Sequence, residues 1–437
     1  MGTETFSLPE GPAELSRAVV DALLALRRVS EAVATTTTTA TTTATTTGSG
    51  SATKLPVPAA GSDQYVPGAA GAPDDRTEQP VDSTQPGSSL SRVVEAQERV
   101  AFTLAALRSL LYGEDWLDRS ATRSAVIADT CNREKRNDLA ATTTTPANQA
   151  KGGQDASERL STEALQSVVY DTELLELLAS SLPLMEFESR KDAVAVFHNI
   201  LRRQAENQRM QVPTSVLESL LVDYGRPEVA LSCGMMLREA LRHEDCVRML
   251  FSLDTFWIFF SLLQMSNFDV ASDAFTTLRV ALTRHKKLAA EFMLQHFDRF
   301  FLTEYNNLLR CDNYVSKRQG LKLLSELLLD RSNFYIMIRY VGMVENLKLV
   351  MTLMLDPGKS IQLEAFHVFK LIVANPSKPV DVKRILFRNR DKLIRYLNAL
   401  GSEAPTGNPA FASEAFREDL QLVISEIQKL QPETKSS

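Results

Sequence analysis

Cysteine is scarce: Cys131, Cys233, Cys246 and Cys311 are the full complement in 437 residues, and no two of them form a CxxC pair. Isolated thiols of this kind provide neither a zinc site nor a disulfide framework, and they fit a reducing compartment. Positive charge is not in excess either. The 48 Lys and Arg face 54 Asp and Glu, a net charge of −6, so no global field draws the chain to nucleic acid or to an anionic membrane. No long apolar run occurs. The most apolar stretch, residues 256–263, is interrupted by Ser261 and falls far short of the roughly 20 residues that cross a bilayer, so no membrane insertion is expected. Met1-Gly2-Thr3-Glu4-Thr5-Phe6 has no basic stretch ahead of an apolar one, and Phe6 stands where a myristoylation signal needs Ser or Thr. Neither a leader nor a lipid anchor is expected, and the chain reads as cytoplasmic.

Catalytic signatures are missing as well. There is no G-x-G-x-x-G, G-x-x-x-x-G-K-[ST], H-E-x-x-H, G-x-S-x-G or EF-hand loop, which removes the usual phosphate cradles, metal pairs and nucleophile elbows. His198, His243, His285, His296 and His367 are single residues without ligand spacing. Carboxylates and lysines are plentiful, yet no spacing favours chemistry. The expectation is a protein that is not an enzyme, with no cofactor, metal or small-molecule substrate.

What is present is helical periodicity. Leu15, Val19, Leu23, Leu26 and Val29 share one face of an amphipathic helix over residues 12–29. Residues 35–47 are eleven threonines and two alanines, and a Gly/Ser/Pro-rich tract follows. A disordered insert is expected over 30–90, because such composition lacks the apolar groups that offset chain entropy. A second amphipathic helix, 91–113, carries Val93, Val100, Leu104, Leu107 and Leu111, with Gly113 suited to cap it. Residues 114–157 form another biased insert.

From 158 to 430 the character changes. Asp192-Ala-Val-Ala-Val-Phe-His-Asn-Ile-Leu201, Val229-Ala-Leu-Ser-Cys-Gly-Met-Met-Leu237, Val270-Ala-Ser-Asp-Ala-Phe-Thr-Thr-Leu278, Arg318-Gln-Gly-Leu-Lys-Leu-Leu324 and Ile361-Gln-Leu-Glu-Ala-Phe-His-Val-Phe369 share one plan, small residues early and bulky ones late. Leu237, Leu278, Leu324 and Phe369 recur at intervals of 41, 46 and 45 residues, the period of HEAT and armadillo repeats. Apolar/polar alternation never persists, so strands are not expected. The prediction is an all-α, armadillo/HEAT-like right-handed solenoid of two-helix repeats. Short polar loops such as Asp223-Tyr-Gly-Arg-Pro227 separate the helices, a final helix over 412–430 caps the stack, and 431–437 form a flexible tail.

Two groups of side chains stand out. Tyr314, Arg318 and Lys322 lie at i, i+4 and i+8 on one helix face, either a docking stripe or a solvated face held by local pairs such as Lys322 with Glu326. Arg331 and Phe334 at one helix end, with Lys348 and Met351 on the next helix, offer cations beside an apolar rim. Such a rim clamps a peptide carrying a carboxylate next to aromatic anchors; alternatively Phe334 and Met351 are inter-helix core and Arg331 a C-cap. Phe268, just before Asp269, is either a hydrophobic staple beside an Asp269 cap or an exposed aromatic contact.

Ser266-Asn-Phe-Asp-Val-Ala-Ser-Asp-Ala-Phe275, Leu282-Thr-Arg-His-Lys286, Tyr314-Val-Ser-Lys-Arg-Gln319, Glu326-Leu-Leu-Leu-Asp-Arg331, Glu345-Asn-Leu-Lys348 and Glu364-Ala-Phe-His-Val-Phe369 closely resemble the calcium-binding protein 39 family, also called the mouse protein-25 family. The resemblance covers roughly 159–400 and, more weakly, the two N-terminal helices. It implies an armadillo-like scaffold that binds and allosterically activates sterile-twenty-like (germinal-centre) kinases or a related pseudokinase, in signalling linked to cell polarity, morphogenesis or division. It further implies that Phe268, Tyr314 and Arg318 meet the kinase domain on a concave surface. Lys322, Arg331, Phe334 and Met351 would take a Trp-Glu-Phe tail motif, with Lys348 beside them. Despite the family name, no carboxylate loop supports calcium binding. The chain departs from the family in its two inserts and in an expanded Leu302-Thr303 segment. A competing expectation is a structural adaptor for cell-division or cytoskeletal assembly that leaves kinase activity unchanged.

Overall fold

The computed structural model describes residues 11–46, 86–112, 165–402 and 413–431, and every regular element among them is helical. They fall into two compact units, 1–165 with 184–192, and 166–183 with 193–437. Among the described residues no helix is long and apolar enough to cross a membrane.

In the first unit, helices Pro12–Thr46 and Pro86–Tyr112 pack together, burying Leu15, Val19, Leu23 and Leu26 against a face that includes Val100, Leu104, Leu107 and Leu111. The Gln97 amide donates to the Leu184 carbonyl at 3.2 Å, and Arg108 pairs with Asp192, so segment 184–192 is tied to this pair. The first helix does not stop at residue 29 but runs to Thr46. The Thr35 hydroxyl donates back to the Glu31 and Ala32 carbonyls at 2.8 and 3.0 Å. A threonine satisfied within its own helix adds to a helix that is already nucleated, and each added residue contributes a backbone bond. The second helix starts at Pro86 rather than residue 91, since proline is preorganised for a first turn. Gly113 and the remainder of both inserts lie outside the described residues.

In the second unit the period contains three helical segments from residue 244 onward, not two. They are Glu244–Ser252, Asp254–Trp257 running into Ile258–Leu262, and Phe268–Thr283; then Lys286–Gln295, Asp298–Tyr305 running into Asn306–Arg310, and Tyr314–Leu329; then Phe334–Val341, Val344–Leu353 and Lys359–Ala374. Val380–Arg388, Arg390–Ser402 and Glu414–Gln428 complete the stack. Some of the breaks escape a sequence reading because they lack glycine or proline: Arg284-His285 ends one helix and starts the next through a His285 ψ of 71°, whereas Gly342 marks the break between Phe334–Val341 and Val344–Leu353. The Leu302-Thr303 segment lies in a π-helical stretch, Asp298–Tyr305, whose Phe300, Phe301 and Tyr305 stay buried. A wide turn of this kind absorbs an added residue without shifting the flanking registers.

The last helix of each triplet forms a ladder. Ala230–Ala240, Phe268–Thr283, Tyr314–Leu329, Lys359–Ala374 and Glu414–Gln428 each pack on the next. The predicted anchors Leu237, Leu278, Leu324 and Phe369 are all fully buried in it, where truncation to alanine costs about 3 kcal/mol each. The rungs run parallel and in register. Ser316 at the start of one helix donates to the Leu263 carbonyl just ahead of the preceding one, at 2.6 Å, while Arg279 near the end of that helix forks onto Glu326 near the end of its neighbour, at 2.8 and 3.0 Å.

One polar joint sits inside the ladder. Tyr224, which the sequence places in a polar loop, is fully buried. Its hydroxyl lies 2.6 Å from Asp273 Oδ2 and 2.6 Å from Thr277 Oγ1, and Arg238 reaches Asp273 at 3.0 Å and Thr277 at 2.7 Å. Burial, reinforced by the Asp273 charge, pushes the Tyr224 phenol far above its usual range. Gly234 makes room for this joint: a Cβ there would stand 1.9 Å from Asp273 Oδ2 and 2.4 Å from the Tyr224 hydroxyl.

Gly234→Ala is therefore expected to lower stability by about 2–4 kcal/mol, read as a shift of the urea midpoint; an unshifted midpoint would remove the joint from any structural role. Burial also holds His243 and His367 below the usual imidazole range. The unfolded chain binds those protons first, so stability is full above the unfolded imidazole pKa, about 6.5, and declines as pH falls below it. His367→Leu should flatten that decline in urea titrations at pH 7, 6 and 5.

Candidate partner-binding face

Asn267 and Asn313 occupy equivalent places, one rung apart. Each has extended backbone angles, and each side-chain oxygen accepts from the backbone N–H groups two and three residues on, at 3.1 and 3.1 Å for Asn267 and at 3.0 and 3.2 Å for Asn313. Asn267, not Asp269, is thus the cap ahead of Phe268. Each cap delivers an aromatic residue at the first helical position. Phe268 is 60% exposed and Tyr314 46%. Phe268 is therefore an exposed aromatic and not a buried staple, and the in-register stack puts it at the same end of the ladder as Tyr314.

Arg318 and Lys322 follow Tyr314 one and two turns on, and both side chains are exposed. The local pair expected between Lys322 and Glu326 does not form, because Glu326 is held by Arg279 from the preceding rung. Lys317, on the same helix, is mostly buried and pairs with Asp356 at 3.1 Å. Among the described residues, Arg318 and Lys322 make no ion pair, unlike their neighbours.

The second group lies on consecutive helices that pack together. Arg331 opens a 3-10 turn whose cap is Asp330, which accepts from the Ser332 N–H at 2.8 Å. Arg331 is thus not a C-cap. Phe334 begins the next helix and is 53% exposed, so it is not inter-helix core; its ring meets that of Tyr335 edge to face, centroids 5.7 Å apart. Lys348 and Met351 stand one turn apart on Val344–Leu353, Lys348 exposed and Met351 half-buried. Tyr335 and Ile338, which the sequence reading passed over, are also exposed beside Phe334; the i, i+4 spacing of Phe334 and Ile338 was the available signal. Arg331 and Lys348, like Arg318 and Lys322, make no ion pair among the described residues. Chemically this is an apolar and aromatic surface with cations that are unneutralised among the described residues, suited to bind an acidic and aromatic partner. Among the described residues no three His, Cys, Asp or Glu side chains gather as metal ligands would.

Residues 91–431 match the Mo25-like family. Similar proteins include a calcium-binding protein 39-like protein of Homo sapiens, 45% identical over 255 residues, which are 57% of this chain and 75% of that protein. A Mo25-like protein of Schizosaccharomyces pombe is 45% identical over 267 residues, covering 60% of this chain and 79% of that one. The conidiophore development protein hymA of Emericella nidulans is 38% identical over 268 residues, 54% of this chain and 70% of that one.

Because the exposed cations make no side-chain hydrogen bond or ion pair among the described residues, alanine at Arg318, Lys322, Arg331 or Lys348 should change stability by less than about 0.5 kcal/mol. Asn313→Ala, which removes a cap, should cost about 1 kcal/mol. Thermal melts of the five variants check both statements, and a destabilised Arg318→Ala would mark that side chain as structural.

Proposed function

Because the chain belongs to the Mo25-like family, we propose that it acts in the cytoplasm as a scaffold that binds a sterile-twenty-like kinase or a related pseudokinase and shifts it toward its active state. Phe268, Tyr314 and Arg318 meet the kinase domain, while Lys322, Arg331, Phe334, Lys348 and Met351 take an aromatic and acidic segment from the end of the partner. The observation that carries this reading is the uneven use of charge. Lys317 and Arg279 are neutralised by carboxylates of adjoining rungs, whereas Arg318 and Lys322, beside the exposed Tyr314, are not. Four cations that make no ion pair among the described residues, around exposed aromatics, give a surface on which a carboxylate-bearing aromatic partner finds both charge and apolar area.

Activation without chemistry needs only differential affinity: a scaffold that binds the closed arrangement of a kinase tenfold better than the open one shifts that equilibrium by about 1.4 kcal/mol. A second reading, a structural adaptor in morphogenesis that tethers a partner without altering its activity, draws support from the resemblance to a conidiophore development protein.

Arg318→Ala combined with Met351→Ala is expected to abolish co-purification of a sterile-twenty-like kinase. An unchanged pull-down would sink the assigned face. Phosphorylation rates of that kinase with and without the purified chain then separate activation, which raises the rate, from tethering, which does not.

A further inference from the structure

Tyr314 is only half covered, and Gly358 is one of the residues against it. A Cβ built on Gly358 would stand 3.0 Å from Tyr314 Cε2 and 3.4 Å from Cδ2, so the ring lies against the residue that caps the next ladder helix. Gly358 is itself held. Asp356 Oδ1 accepts from its N–H at 2.9 Å, and the Asp356 carbonyl accepts from the Gln362 amide at 2.7 Å. Asp356 Oδ2 accepts from Lys317 at 3.1 Å, in a pair whose side chains are only 16% and 14% exposed. Lys317 lies three residues after Tyr314, on the same side of the same helix. The contacts close a ring: helix to Lys317, to Asp356, to Gly358, to the Tyr314 side chain and back to the helix.

We propose that Lys317, Asp356 and Gly358 are positioning residues for Tyr314, which fix the direction of the aromatic relative to Arg318 before a partner arrives. This rests on the assignment of Tyr314 and Arg318 to the kinase-domain face. An aromatic ring half in solvent at a helix start has several rotamers available, and each left open lowers the fraction of chains ready to bind. Gly358 gives the ring a flat support that any side chain would occupy. The partly buried pair keeps that support one rung away at a constant distance. Arg279–Glu326, the pair that joins the far ends of the preceding rung and this one, is 62% and 37% exposed, and such solvated pairs hold geometry weakly. The tighter pair stands where the aromatic needs it.

The test is calorimetric titration of a purified sterile-twenty-like kinase domain into full-length variants, with a thermal melt of each. Lys317→Met and Gly358→Ala should each weaken binding about five- to tenfold, and Lys317→Arg, which preserves the pair, should restore most of it. In a Tyr314→Ala background neither substitution should weaken binding further, a non-additivity that general loss of structure does not produce. Should Lys317→Met melt too early to titrate, Gly358→Ala carries the same test through the ring alone. If Tyr314→Ala weakens binding while Lys317→Met and Gly358→Ala do not, or if their effects persist at full size without Tyr314, the positioning role is wrong and the face stands. If Tyr314→Ala and Arg318→Ala both bind normally, the face itself is wrong and the positioning role falls with it.

Discussion

The parallel, in-register stacking of the ladder helices is the constraint on which everything else in the second unit depends. Small buried residues let the rungs approach: Ala230 and Gly234 on one, Ala271 and Ala274 on the next, and Ala365 further along. Close approach brings polar groups of neighbouring rungs within reach. Arg238 reaches forward to Asp273, Arg279 to Glu326, Lys317 to Asp356 and Lys370 to Asp419. In each of these four the cation lies on the earlier rung. Exposed pairs of this type contribute little singly, so the half-buried ones, Arg238–Asp273 with its Tyr224 and Thr277 partners and Lys317–Asp356, hold the register most firmly.

Register converts a repeated sequence into a surface. Because the rungs start level, the capped positions after Asn267, Asn313 and Gly358 line one edge, and side chains placed there face out together. Phe268 and Tyr314 are exposed for that reason and not because their helices are short of core. The same level stacking decides which charges survive. A carboxylate taken by the preceding rung, as Glu326 is by Arg279, is no longer available to the lysine one turn before it, and Lys322 is left unneutralised as a consequence.

The second group rests on a stiffer base than its exposure suggests. Beneath the Phe334–Val341 helix, Tyr340 is buried and meets Phe301 edge to face at 5.6 Å. Arg339 lies 4.1 Å over the Phe297 ring and pairs with Asp298 at 2.8 Å. Trp257, Phe260, Phe292 and Phe300 extend this aromatic layer through the preceding repeats. Interlocking rings of this kind fix a helix by geometry as well as by buried area, which keeps Phe334 and its neighbours in place while they are open to solvent.

The amino-acid sequence by itself determined that the protein is a stack of helices with a repeat near 45 residues, since apolar spacing follows the helix period and recurs. It also determined that Leu237, Leu278, Leu324 and Phe369 are core, and it marked Tyr314, Arg318 and Lys322 as one stripe, because i, i+4 geometry is local. It did not reveal the third segment per repeat, some of whose breaks carry no glycine or proline, nor the course of the first helix through its threonines. Above all it was silent on pairing. Whether Lys322 or Arg279 holds Glu326, whether Tyr224 is loop or core, and what supports the Tyr314 ring were decided by the tertiary structure alone. Each of those partners comes from the neighbouring rung, 39 to 49 residues distant in the chain for Lys317–Asp356, Arg279–Glu326 and Tyr224–Asp273, where no local pattern reaches and only the stacking of one repeat on the next brings the groups together.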